Sequence, residues 1–169
     1  MRDVSHDEVI RSVAMAGRVS RYSTWPTIRQ QSVGEHTHRV CMLYLKLFGI
    51  PRAEVLVYIL QHDLGELFAG DAPFYAKRRV PALKEASDLA EKEGLKHLGL
   101  IQPKITEEEW KQFKIADLLE MYEFGQIEYR MGNQYGDIVS QNIMKALNGM
   151  ITPDEIGLYL VKLWPREVT

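Results

Sequence analysis

The stretch VLVYILQHDLGELFAG, residues 55–70, begins with apolar residues and carries charged and polar residues from its middle onward. Its uncharged apolar run, Val55 to Leu60, predicts a helix that lies in a protein core. His62 and Asp63 follow directly, and Glu66 comes three residues after Asp63. Burying such polar groups at the end of an apolar helix is unfavourable unless they have partners. A divalent metal ion is one such partner, so this stretch is a candidate for a metal site within a helical core.

Hydrophobic spacing predicts helices on both sides of this stretch and along nearly the whole chain. The first begins at a capping box of Ser5 and Glu8 and fades near Gly17. Residues 20–31 are predicted as a loop, and residues 71–80 as a loop or short turn. The remaining helices are expected over about Val33–Phe48, Pro51–Phe68, Pro81 to the linker that starts at Gly99, Thr106–Arg130, Asp137–Leu147 and Thr152–Trp164. The sequence therefore predicts an all-α fold, one compact helical domain over residues 1–169.

Composition excludes several classes of protein. Twenty-one Lys and Arg against 23 Asp and Glu leave no basic excess, so we expect no nucleic-acid partner. The single cysteine, Cys41, cannot form an internal disulfide. No apolar run reaches the roughly 20 residues of a membrane helix, and the polar first residues do not resemble a signal peptide. We therefore expect a protein of the cytoplasm, or of the host cytoplasm if it is phage-encoded, with no membrane contact.

Two more residues extend the His62–Asp63 pair to a candidate metal site. His36 lies near the start of the second helix, and Asp117 lies within the apolar run Ile115–Leu119. Imidazole nitrogen and carboxylate oxygen together suit borderline divalent metals. Each residue alone has a simpler explanation, because a lone histidine is usually a surface or core residue and Asp117 can be half of a buried ion pair. Only the set points to a metal.

Three further polar residues lie close to this set in the sequence. Glu66 shares a helical face with His62 and Asp63 if the helix is continuous, but it can also be an ordinary solvated acid. Asp71 stands in Gly-Asp-Ala-Pro, which is a turn composition. Arg21 lies in the loop before the second helix and, by itself, is best interpreted as a surface arginine.

Together these residues resemble the HD-domain metal-dependent phosphohydrolases, in which His, His-Asp and a distant Asp follow one another in this order. The flanking motifs look like the 5′-deoxynucleotidase branch and the related small HD-type dATP triphosphohydrolases of phages. Those motifs are Arg21-Tyr22, Ser32-Val33-Gly34-Glu35-His36, His62-Asp63-Leu64-Gly65-Glu66 and Gly70-Asp71-Ala72-Pro73. The resemblance covers about residues 18–120.

The resemblance implies an HD-domain helical bundle, assembled as a homodimer or higher homo-oligomer, with one divalent metal per subunit. Cobalt, manganese, zinc and magnesium all remain open as the metal. The implied roles are metal ligation by His36, His62, Asp63 and Asp117, acid/base work or water orientation by Glu66, contact with substrate or a catalytic water by Asp71, phosphate binding by Arg21, and contact with the sugar by Tyr22. Family members often carry Trp at the position of Tyr22, where the ring helps to reject a 2′-hydroxyl.

The implied reaction is hydrolysis of a 2′-deoxynucleoside 5′-phosphate at the α-phosphorus, which releases the deoxynucleoside. Whether the substrate is a monophosphate or a triphosphate such as dATP stays open. Lys77 and Arg78 could hold the outer phosphates of a triphosphate, or they could be a solvated basic turn. Trp25 and Ile28 are candidate walls for a flat base, or they could simply pack the loop onto the core.

Two alternatives without catalysis remain. The first is a nucleotide sensor that keeps the fold and does not turn over, against which the acids Glu66 and Asp71 argue. The second is a helical adaptor whose histidines and aspartates are satisfied internally.

Overall fold

The computed structural model describes residues 13–70 and 72–164, without the side chains of Ala69, Phe74, Tyr75 and Arg78. The all-α prediction is confirmed: in these residues the only extended pairing is an isolated bridge between Ser20 and Ser32. The helices are α1 (Val33–Phe48), α2 (Ala53–Gln61), α3 (Glu66–Ala69), α4 (Phe74–Arg79), α5 (Pro81–His97), α6 (Glu107–Arg130), α7 (Tyr135–Asn148) and α8 (Pro153–Leu163).

Residues 13–16 are also helical, whereas the predicted capping box of Ser5 and Glu8 lies outside the described part of the chain. None of the helices just named combines the length and the apolar character that a bilayer crossing requires. The described residues divide into two compact units. The first comprises residues 13–26, 30–38 and 57–104, and the second comprises residues 27–29, 39–56 and 105–164.

In the first unit, the His-Asp pair lies in a turn rather than in a long helix. The predicted helix to Phe68 is wrong, because α2 ends at Gln61 and residues 62–65 form turns before α3. The amide of Glu66 donates to the carbonyl of Asp63 at 3.1 Å, the short spacing of a tight turn. A Cβ atom at Gly65 would collide with the backbone of Glu91 on α5. The chain bends here because only glycine allows so close an approach to α5.

In the second unit, α6 and α7 pack closely around a shared apolar core. The buried residues of this core are Leu47, Ile115, Leu118, Leu119, Ile143, Leu147, Ile151 and Ile156. A Cβ atom at Gly125 of α6 would lie 2.6 Å from Ser140 Oγ and 2.8 Å from the Gly136 carbonyl oxygen. The approach of the two helices therefore depends on a glycine at position 125.

The start of α6 is fixed by a capping box, as the sequence pair Thr106 and Glu109 indicates. The Thr106 hydroxyl accepts from the amide of Glu109, and the Glu109 carboxylate accepts from the amide of Thr106. Arg52, between α1 and α2, donates to both oxygens of the same carboxylate, at 2.6 and 2.8 Å. Capping box and ion pair together fix the first turn of α6, the helix that carries Asp117.

We expect Gly125→Ala to destabilise the protein by about 1–3 kcal/mol, because the added methyl group overpacks the α6–α7 contact. Gly157→Ala is the matched control: Gly157 is exposed within α8, and nothing lies within 4 Å of a Cβ added there. This control should stabilise the helix by about 0.5–1 kcal/mol. Urea unfolding of both variants measures the difference, and equal effects would contradict the close approach of the two helices.

The pH dependence of stability tests the Arg52–Glu109 pair. The hydrogen bond from Arg52 lowers the pKa of Glu109 from 4.5 to about 2. A carboxyl group whose folded-state pKa is lowered stabilises the fold above its unfolded pKa, and this stabilisation is lost as the pH falls towards the folded value. Glu109→Gln should therefore flatten the decline of Tm between pH 4.5 and about 2. Glu107→Gln, in the same helical turn, is the control, and parallel Tm curves for wild type and Glu109→Gln would refute the prediction.

Candidate metal centre

His36 is fully buried in the first turn of α1. Two contacts set the start of this helix: the Ser32 hydroxyl accepts from the amide of Glu35 at 3.1 Å, and the amide of Gly34 donates to the carbonyl of Gly17 at 2.9 Å. The Ser32 contact is an N-cap, which explains why the helix begins at Val33. The imidazole of His36 is thus held in the interior by a well-defined helix start.

The ring of His62 has a defined orientation. Its Nδ1 lies 2.6 Å from the carbonyl oxygen of Ile59. A carbonyl oxygen only accepts, so Nδ1 carries a proton, and Nε2 is the nitrogen that can bind a metal. Metal-binding histidines commonly have this arrangement, in which the second nitrogen donates to a backbone carbonyl.

Three ligand atoms form a nearly regular triangle. His36 Nε2 and His62 Nε2 lie 3.3 Å apart. Asp63 Oδ2 lies 3.5 Å from the His36 nitrogen and 3.3 Å from the His62 nitrogen. The centre of such a triangle is about 2 Å from each corner, close to the zinc–nitrogen and zinc–oxygen bond lengths of about 2.0–2.2 Å. The spacing of these atoms therefore fits one divalent ion.

Asp63 is also bound by Arg21, whose Nη1 donates to Oδ2 of the carboxylate. Burial alone would raise the pKa of Asp63, but His62, Arg21 and His36 outweigh it and hold the pKa well below its usual range. The carboxylate is therefore ionised at neutral pH. Arg21 is itself buried, and its guanidinium lies 5.8 Å from the centre of the Tyr22 ring.

Asp117 also offers a ligand atom. It lies on α6 in the second unit and is the fourth predicted metal ligand. Asp117 is buried, and Lys114 Nζ donates to its Oδ2 at 2.6 Å. The two residues are three apart on α6 and hence neighbours on its surface. This ion pair is the alternative that the sequence left open for Asp117, and the sequence spacing points to Lys114 as the partner.

The described residues include one of the two predicted catalytic acids, Glu66. Glu66 is buried at the start of α3, although the continuous helix that suggested its position does not exist. Its burial excludes the interpretation as an ordinary solvated acid. Asp71 lies outside the described residues.

The loop after Arg21 carries the predicted sugar and base contacts. Tyr22 has a φ angle of 57°, which is unusual for a bulky residue. Trp25 is half-buried, whereas Ile28 is 58% exposed although it is apolar. Strained backbone concentrates at functional sites, so the conformation of Tyr22 supports a role for this loop.

The two predicted polyphosphate contacts lie on α4. Lys77 Nζ donates to Glu91 Oε1 at 3.1 Å, and the Ser87 hydroxyl donates to the same oxygen at 3.0 Å. Lys77 therefore has a carboxylate partner on α5 and is not a purely solvated charge. The backbone of Arg78 lies in α4, and its side chain is outside the described part of the chain.

A model of the HD-domain family matches residues 17–134. Among solved structures, the cyanophage S-2L HD phosphohydrolase DatZ, bound to dA and one catalytic Zn²⁺ ion, has a TM-score of 0.65 and 21% identity, covering 95% of this chain and 94% of that one. A conserved hypothetical protein from Pyrococcus furiosus has a TM-score of 0.60 and 22% identity, covering 93% of this chain and 95% of that one. No curated protein matches the chain.

At these identities, the two solved structures establish the fold. The family match is more extensive than a local motif, because it runs from before Arg21 to beyond Asp117 and takes in all four candidate metal ligands. It covers well over half of the sequence. The chain belongs to the HD-domain family.

Proposed function

We propose that this protein hydrolyses 2′-deoxynucleoside 5′-phosphates at the α-phosphorus and releases the deoxynucleoside, with one divalent metal ion in its site. The observation that carries the proposal is the triangle of His36, His62 and Asp63, with the guanidinium of Arg21 against the same carboxylate. This arrangement supports the proposal because three side chains that could bind a metal lie beside a cation that could bind a phosphate. The cyanophage relative of the same fold holds dA, which is a deoxynucleoside, and one Zn²⁺ ion.

His36, His62, Asp63 and Asp117 would hold the metal, which is cobalt, manganese, zinc or magnesium. A divalent ion supplies Lewis-acid polarisation of a phosphoryl oxygen and lowers the pKa of a bound water. The neutral imidazoles contribute lone pairs, and the two carboxylates contribute the negative charge that offsets the ion. Burial of His36 and Asp117 keeps competing bulk water away from these ligands.

Arg21 would bind the substrate phosphate. A guanidinium presents its N–H donors in a planar fork, which can hold two phosphate oxygens at once. The contact with Asp63 aims this fork at the metal-binding set. Tyr22, stacked beside Arg21, would lie against the sugar and disfavour a 2′-hydroxyl.

The leaving group is the 5′-oxygen of the nucleoside, which needs a proton when the bond to phosphorus breaks. Glu66 or Asp71 would supply it as a general acid, or would orient the attacking water. Glu66 is suited to this role because it is buried directly after the Asp63 turn.

The positive charge available near Lys77 bears on whether a monophosphate or a triphosphate is the substrate. A monophosphate needs one cationic clamp, which Arg21 provides. A triphosphate such as dATP needs further positive charge for its outer phosphates, and Lys77 with Arg78 would provide it. The Lys77–Glu91 ion pair offsets part of that charge and so favours the monophosphate, while triphosphate cleavage with release of triphosphate is the second candidate.

A product assay tests the proposal. Metal-stripped protein receives cobalt, manganese, zinc or magnesium singly and is offered every deoxy- and ribonucleoside mono- and triphosphate. We expect deoxynucleoside together with either phosphate or triphosphate, and the second product identifies the substrate. Tight nucleotide binding without turnover under every metal would instead favour the sensor, and neither binding nor turnover would favour the adaptor.

His36→Ala should weaken metal binding and lower kcat by at least about 100-fold, because it removes a buried ligand from the triangle. His38→Ala is the matched control, since His38 is exposed on the same helix and its loss should change both quantities by less than about two-fold. Metal content by atomic emission and turnover by chromatography are measured on both variants. Full metal content in His36→Ala would exclude this histidine as a ligand.

Lys77→Gln distinguishes the two substrate classes. If the substrate is a monophosphate, kcat/KM should stay within about two-fold of wild type, whereas a triphosphatase should lose at least about ten-fold. Lys84→Gln is the control, because Lys84 forms an exposed ion pair with Asp88. A ten-fold loss with a monophosphate would contradict the assignment of Lys77 to outer phosphates alone.

A further inference from the structure

The loop that follows Arg21 is closed at its base by main-chain hydrogen bonds. The amide of Arg21 donates to the carbonyl of Gln31 at 2.9 Å, and the amide of Val33 donates to the carbonyl of Val19 at 2.9 Å. Ser20 and Ser32 form the isolated bridge between these two pairs. The ends of the loop therefore cannot separate while these bonds persist, and its conformation depends on what holds the tip.

A buried carboxylate holds the tip. Glu128, near the end of α6, is 1% exposed. Its Oε2 accepts from the amide of Ile28 at 2.8 Å, and its Oε1 accepts from the amide of Arg29 at 2.9 Å. Two consecutive main-chain N–H groups thus bind the two oxygens of one side chain. A neutral amide side chain has one accepting oxygen and cannot reproduce this pattern.

Asn133 completes the arrangement from the other side. Its Nδ2 donates to Glu128 Oε2 at 2.7 Å, while its Oδ1 accepts from the amide of Tyr135 at 3.1 Å. Burial alone would raise the pKa of Glu128, but the bonds from Asn133, Ile28 and Arg29 outweigh it and keep the pKa below its usual value. The contacts of Glu128 with the amides of Ile28 and Arg29, here called the clamp, therefore involve an ionised carboxylate at neutral pH.

The side chain of Ile28 is not used by this contact, since the donor is its main-chain amide. Ile28 remains 58% exposed on a main chain that is fixed at its own nitrogen. An apolar side chain on a rigid backbone is preorganised for a flat apolar ligand, because little conformational freedom is lost on binding. Tyr22 and Trp25, the other predicted substrate contacts, belong to the same loop.

We propose that Glu128 is a positioning residue for recognition of the nucleobase, because it fixes the main chain of Ile28 and Arg29 at the tip of the loop. The proposal rests on the proposed function, since the loop faces a base only if the substrate is a nucleotide. Glu128 itself touches neither the substrate nor the reacting atoms. Its effect is on the affinity for the base and on the choice among bases, and not on the chemical step.

The central experiment compares Glu128→Gln with wild type and with Glu123→Gln. Glu123 is the matched control because it lies on the same helix and binds Arg39 and Trp164 rather than the loop. In the metal-loaded protein without substrate, amide hydrogen exchange at Ile28 and Arg29 should be at least about ten-fold faster in Glu128→Gln, with Arg21 and Val33 unchanged. The control should leave all four amides protected.

Steady-state kinetics then test recognition of the base. In Glu128→Gln, KM for the preferred nucleotide should rise by about five-fold or more and discrimination between bases should fall by a similar factor, while kcat stays within about two-fold. Ile28→Ala separates the side chain from the clamp, because it retains the main-chain donor. It should lose discrimination while the amides stay protected. If Glu128→Gln fails to fold, Asn133→Ala weakens the same carboxylate and should shift exchange and KM in the same direction.

Each outcome decides a separate point. Unchanged exchange at Ile28 and Arg29 overturns the clamp. Faster exchange with unchanged discrimination overturns the role in base recognition and leaves a purely structural clamp. If wild type neither binds nor hydrolyses any nucleotide, the proposed function fails, and the positioning role fails with it, while hydrogen exchange still reports on the clamp independently.

Discussion

The mutual contact of Arg21, His36, His62 and Asp63, largely shielded from water, is the constraint on which the rest of the site depends. Polar groups removed from water destabilise a fold unless each finds a partner, and here they find one another. These contacts form only if the backbone places each of the four side chains precisely enough to reach its partners. The carbonyl of Ile59 fixes the ring of His62, and the chain must leave the helix at Gln61 so that Asp63 can turn towards Arg21.

Local signals explain which elements could be predicted. The predicted bounds of α1 are confirmed, and its signals are local: Ser32 caps the start, and Gly49 and Pro51 follow the last residue. The capping boxes at Thr106 and Thr152 are likewise local, and both are present. The end of α2 could not be predicted, because it depends on the contact of Gly65 with the backbone of Glu91, which is remote in sequence. A continuous helical pattern carries no sign of such a contact.

In the candidate site, too, the sequence identifies some residues but not the contacts that they make. The order of His36, His62, Asp63 and Asp117 is enough to suggest a metal, and in the first unit the structure brings His36, His62 and Asp63 together. Charge alone suggested that Lys77 serves the substrate, but it could not show the partner that Glu91 supplies from another helix. Pairings of this kind depend on tertiary packing, which a single sequence does not contain. The left-handed conformation of Tyr22 is equally invisible in the sequence, because residues of this type rarely adopt it.

The contacts of Glu128 with the loop have a consequence for how this protein can diversify. Every residue except proline carries an amide hydrogen, so the hydrogen bond that anchors position 28 does not depend on which side chain stands there. Mutation can therefore exchange the side chain at position 28 while the tip of the loop stays in place. In such a loop the main-chain conformation is maintained by one residue and the contacts with a ligand are made by others. Ligand selectivity can therefore change through substitutions at a few loop positions while the loop conformation is kept.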